Sequence, residues 1–152
     1  MSTGVQINVK YLHPVWEESP LTYSTSDSVG LDLKACIDQE YVFLPPGRRK
    51  AISAGIAFEI LTPGIAGFIF SRSGLGTKEG LVVSQGVGVI DPDYRGEIIV
   101  SLLNISSTER RVFKGQRIAQ LLFMPALQAQ LFSVSSLSST CRGTGGFGHT
   151  GK

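Results

Sequence analysis

The sequence predicts an all-β domain, a jelly-roll-like barrel or sandwich with at most one short helix and a flexible C-terminal arm. Three observations predict it. Short apolar runs recur along the chain, each bounded by Gly, Pro, Asp or Ser, as strands bounded by turns are. The separators carry turn chemistry with a mechanism: in Pro45-Pro46-Gly47, Thr62-Pro63-Gly64 and Asp91-Pro92-Asp93, proline presets φ, and glycine where present supplies the positive φ that other residues resist. No stretch has room for a long helix, and many short strands without helices pack as a sandwich or closed barrel.

The elements follow in order. Residues 5–11 alternate apolar and polar over seven positions, the period of a half-buried strand. Further strands are predicted over Tyr41–Leu44, Ile56–Ile60, Phe68–Phe70, Leu81–Val83, Ile98–Leu103, Arg111–Phe113 and Ile118–Met124, and a single helical turn over Ser73–Glu79. Gly86 to Glu97 places two apolar runs around an acidic, aromatic turn and reads as a β-hairpin. Residues 1–132 therefore form one β domain. Of the twenty residues in 133–152, thirteen are Ser, Thr or Gly, and beyond Leu137 Phe147 is the one large apolar side chain, so this arm is too poor in core-formers to order itself.

The length of 152 residues fits one domain. A 42% apolar fraction with 17% charged residues excludes global disorder. The net charge of +2 carries no block of like charge, so neither a nucleic-acid nor a membrane footprint is written in it, and an anionic partner must be bound locally. No apolar run is long enough for a membrane span or shaped as a signal peptide, which makes the cytoplasm the expected compartment. Cys36 and Cys141 stand in no metal-binding spacing, nor do His13 and His149.

Three segments could carry chemistry. Phe70-Ser71-Arg72-Ser73-Gly74-Leu75-Gly76 runs a strand into a glycine-rich turn with a guanidinium, hydroxyls and free amides, the composition of a phosphate cradle and equally of a surface turn. Its spacing is not that of a Walker loop. In Val89-Ile90-Asp91, the carboxylate at the end of an apolar run is either a base held in one rotamer or a side-chain cap of its turn. In the arm, Arg142, Phe147, His149 and Thr150 are spaced by glycines that let backbone approach a ligand, and an uncovered Phe either stacks on a planar group such as a base or points to solvent.

Taken in order, these segments resemble the five motifs of the trimeric dUTPase family, in its bacterial form around Thr22-Tyr23-Ser24-Thr25. The motifs match Ser28–Ala35, Arg72–Lys78, Gly88–Gly96, Gly115–Gln120 and Arg142–Gly151. The resemblance implies a homotrimer with three active sites at subunit interfaces, hydrolysing dUTP to dUMP and pyrophosphate with Mg2+, which keeps uracil out of DNA and supplies dUMP for thymidylate synthesis. It implies that Asp91 is the general base for the water attacking the α-phosphorus and also binds the 3′-hydroxyl. Uracil and sugar would be held by Gly88, Val89, Ile90, Asp91, Tyr94 and Ile99, with Gln85 at the uracil edge. Phosphates would be held by Arg72, Ser73, Gly74 and Gln120, the ion indirectly by Asp32 and Gln120, and the closed site by Arg142, Phe147, Gly148, His149 and Thr150.

Two rivals share the pattern. A dCTP deaminase-like enzyme would carry a catalytic Glu where Ser101 stands, and a non-catalytic dUTPase-like binding protein would lack Asp91, Arg72 or the arm, all of which are present.

Overall fold

The computed structural model describes residues 4–146. Among them, eleven strands pair antiparallel throughout, interrupted by one short α-helix and a single 3₁₀ turn at Pro14–Trp16. The largest sheet is ordered β2 (Leu31–Lys34), β11 (Arg117–Pro125), β6 (Ile65–Phe70), β8 (Gly88–Ile90). A three-stranded sheet is ordered β4 (Arg49–Ser53), β9 (Ile99–Asn104), β7 (Leu81–Val83). Two ribbons, β1 (Ile7–Tyr11) with β5 (Ile56–Ile60) and β3 (Tyr41–Leu44) with β10 (Arg110–Phe113), complete it. No described helix is long and apolar enough to cross a membrane.

Alternation explains how the sheets close on one core. On β2, Leu31 and Leu33 are buried while Asp32 and Lys34 point the other way, and on β9 Val100, Leu102 and Asn104 turn inward. Leu44, Ile52, Ile56, Leu81, Val112, Ile118 and Leu121 join them, each contributing about 1.5–3 kcal/mol by leaving water. Asn104 is the buried polar residue among the described side chains, and it is satisfied. Its amide donates to the Leu44 and Thr108 carbonyls at 2.8 Å each, and its oxygen accepts from the Ser106 amide and hydroxyl.

The helix α1 (Ser73–Glu79) has the bounds read from the sequence. It stops because Gly80 takes a left-handed φ of 69° and its amide turns back to Gly76 and Leu75; a Cβ there would also meet Ser106 at 2.9 Å. Most predicted strands stand within a few residues of their expected ends, while β2 and β4, short and carrying charges, were not read as strands.

Two expectations are corrected. The alternation of residues 5–11 predicts a half-buried strand, yet within β1 only Ile7 is even partly buried, because β1 pairs with β5 alone in a two-stranded ribbon. Gly86 to Glu97 is not a hairpin. β8 pairs with β6, whereas β9 pairs with β4 and β7, and Ile98 bonds across to Ala54 and Ile56. The Asp91–Tyr94 turn thus crosses between sheets.

Burial pushes the Cys36 thiol up to about 11, with smaller influences from Trp16 and nearby charges, while Cys141 is exposed. At neutral pH Cys36 stays a protonated, shielded thiol. Iodoacetamide should therefore label Cys141 alone in the folded protein, with Cys36 reacting only in denaturant, as read by peptide mass spectrometry.

Candidate active site

Because β8 and β9 diverge, a cavity of about 290 Å³ opens between them. It is lined by Gly88, Val89, Ile90 and Asp91 from one side and by Glu97, Ile98 and Ile99 from the other, with Gln85 and Tyr94 at its ends. β8 is the last strand of its sheet, so one row of its backbone donors and acceptors is left without a strand partner. Such a row can read the edge of a planar heterocycle. A side chain at Gly88 would crowd this wall: a Cβ would stand 3.2 Å from Cβ of Ile69 and 3.3 Å from Nε2 of Gln85, so those neighbours would have to give by a few tenths of an ångström. Gln85 is oriented in turn by the Ser84 hydroxyl, at 3.1 Å.

Asp91 sits where β8 ends, and its turn closes through backbone, the Tyr94 amide donating to the Asp91 carbonyl at 3.1 Å. Its carboxylate is exposed and accepts no hydrogen bond from the described residues, so the side-chain cap is not its role. Arg95 braces the turn, donating to the Pro92 and Tyr94 carbonyls and reaching Glu59 at 3.4 Å.

A second cavity, of about 380 Å³, lies on the outer face of β2 and β11. Asp32, Arg72, Arg117 and Gln120 line it, with Ser24 and Ser28 from the preceding loop and Gly30 beneath. Asp32 is opposite Gln120 in the ladder and only 13% exposed; its oxygens accept from Arg72 Nε at 2.9 Å and Arg117 Nη1 at 3.1 Å. Three positions apart, Arg117 and Gln120 would face opposite ways on a regular strand, but a bulge between Arg117 and Ala119 brings both to this cavity. One carboxylate against two guanidiniums leaves a net positive, donor-rich hollow suited to phosphoryl oxygens.

The predicted residues thus divide into two groups. Gln85, Gly88, Val89, Ile90, Asp91, Tyr94 and Ile99 meet in the first cavity; Asp32, Arg72 and Gln120 meet in the second. Ser73 and Gly74 are exposed at the start of α1 beside Arg72 and line neither. Arg142 is exposed in a turn of the arm, and Phe147, Gly148, His149 and Thr150 lie outside the described residues. Sequence reasoning passed over Glu97, Arg117, Ser24 and Ser28. All four stood inside segments already quoted, without a role of their own; the charge of Arg117 was the available signal.

The chain resembles known proteins along nearly its whole length. A family model described as dUTPase matches residues 17–151. The deoxyuridine 5′-triphosphate nucleotidohydrolases of Cronobacter sakazakii and Psychromonas ingrahamii are each 46% identical over 149 residues, covering 97% of this chain and 97% and 98% of their own lengths. The chain belongs to the dUTPase family. A solved dUTPase of Staphylococcus bacteriophage 80alpha, with dUpNHpp, has 26% identity and a TM-score of 0.83, covering 97% of this chain and 99% of that one. The all-β jelly-roll reading of this dUTPase chain therefore holds.

Gly88→Ala is expected to weaken nucleotide binding about tenfold or more while the melting temperature falls by only a few degrees, because the neighbours that must give way, Gln85 and Ile69, both line the cavity. Calorimetric titration beside a melting curve checks it.

Proposed function

We propose that this chain hydrolyses dUTP to dUMP and pyrophosphate in the cytoplasm, keeping uracil out of DNA and supplying dUMP for thymidylate synthesis. The observation that carries the reading is the first cavity, where an edge strand, a bare glycine wall and an unpartnered carboxylate converge. The unpaired backbone of β8 reads the uracil edge, and Gln85 stands beside it. Exclusion of a base carrying added atoms would work by shape, through overlap with the cavity wall. Tyr94 walls the sugar side. The Asp91 carboxylate orients a water and takes its proton as it attacks the α-phosphorus, and it also accepts from the 3′-hydroxyl.

Arg72, Arg117 and Gln120 receive the phosphates, with Ser73 and Gly74 adding hydroxyl and amide donors at the start of α1. No group of three or more His, Cys, Asp or Glu that could cage a metal exists among the described residues. The donor set instead fits a hydrated Mg2+ carried by the triphosphate, with Asp32 and Gln120 touching its waters or the phosphates. The ion supplies charge neutralisation on the phosphoryl oxygens. From the arm, Arg142, Phe147, Gly148, His149 and Thr150 close over the nucleotide, ring on base and donors on phosphate.

Geometry favours sites shared between chains of a homotrimer. Asp91 follows Ile90, which is paired with Gly67, so it lies level with Ala66; Arg72 comes six residues later in the chain, just past the end of β6. At ~3.3 Å per residue along a strand the two backbones stand up to about 20 Å apart, a separation that suits a site completed by a second chain. Leu127, Leu131, Phe132 and Leu137 also leave the body almost wholly exposed, which suits an arm laid on a neighbour. A dCTP deaminase reading gains nothing, since β9 carries Ser101, bonded to Ser84, and no carboxylate.

With dUTP and Mg2+, dUMP and pyrophosphate should form, and dTTP, dCTP and UTP should be turned over at least a hundredfold less well. Asp91→Asn should lower kcat about 10²- to 10⁴-fold with KM changed little; wild-type turnover in that variant would sink the base assignment. Co-refolding inactive Asp91→Asn with inactive Arg72→Ala should restore activity that neither has alone, because mixed trimers pair an intact half from each; no recovery would place both halves in one chain.

A further inference from the structure

We infer that Glu97 is a positioning residue that holds Tyr94 against the sugar side of the pocket and so sets the preference for a deoxyribose; the inference rests on the dUTP-hydrolase reading. Residues 91–96 are exposed one after another, and such a segment does not place a ring by packing. Glu97 is where the crossing is tied down. One of its carboxylate oxygens accepts from the Ser53 hydroxyl in a short hydrogen bond and from the Gly55 amide at 3.2 Å. That corner is itself rigid: Gly55 has a φ of 62°, and a Cβ there would meet Cys36 and His13 below 3 Å.

The backbone of the same residue holds the ring. The Glu97 carbonyl accepts from the Tyr94 hydroxyl at 3.1 Å. The ring consequently folds over Gly96, where a Cβ would stand 2.4 Å from the phenol oxygen. One residue therefore links the β4–β5 corner, through its side chain, to the Tyr94 ring, through its carbonyl, while lining the cavity itself. The link needs an acceptor and not a charge, since both of its side-chain partners are donors.

The test compares Glu97→Ala, Glu97→Gln and Ser53→Ala. For Glu97→Ala, kcat/KM for dUTP should fall about tenfold, mostly through KM, and the preference for dUTP over UTP should shrink by a similar factor, as expected when a wall moves by a fraction of an ångström. Glu97→Gln should keep both within about threefold, and Ser53→Ala should fall between. Hydrogen exchange over residues 91–97 without nucleotide should speed up in Glu97→Ala and not in Glu97→Gln. An unchanged dUTP-to-UTP preference in Glu97→Ala overturns the inference even if the melting temperature drops. Should that variant not fold, an unchanged preference in Ser53→Ala overturns it. If the wild-type protein does not hydrolyse dUTP, the functional reading fails, and the exchange data still decide whether Glu97 anchors the loop.

Discussion

β8 and β9 follow one another in the chain yet hydrogen-bond into different sheets, and the binding geometry depends on that separation. Paired with each other, they would fill the space that forms the first cavity and consume the backbone groups facing it. Kept apart, they leave an edge strand looking across a gap at Ile98 and Ile99. The Pro92 turn, braced by Arg95 and anchored by Glu97, spans the gap without closing it. An open edge is ordinarily a liability for aggregation, and here it forms one wall of a cavity.

The second cavity rests on a different balance. Asp32 is mostly buried between two guanidiniums, a placement that costs desolvation and is offset chiefly by the less exposed of them, Arg72. The pairing orients Arg72 and Arg117 while leaving them further donors. Exposed ion pairs contribute little to stability, so the half-exposed Arg117 adds little to the fold and more to the field in the hollow.

Much of this was legible in the sequence, for reasons that differ by residue. Leu81–Val83 and Ile56–Ile60 announce themselves because β-branched and large apolar residues stand between turn-formers. Ser73–Glu79 does so because a glycine follows it. β4 escaped because Arg49 and Lys50 hide its period, and the crossing at Asp91 was mistaken for a hairpin because local pattern cannot tell which partner a strand will choose. Resemblance supplied the division into motifs, but the bulge that turns Arg117 toward Gln120 and the tie from Glu97 to Ser53 depend on residues far apart in sequence.

The six-residue offset between Asp91 and Arg72 has a thermodynamic side. In the shared-site proposal a triphosphate bridges chains, and a ligand that binds only the associated form must stabilise it by mass action. Substrate then acts as an adhesive. Within that proposal, nucleotide would push the dissociation of the subunits to lower protein concentration, so that the substrate would help hold together the assembly that consumes it.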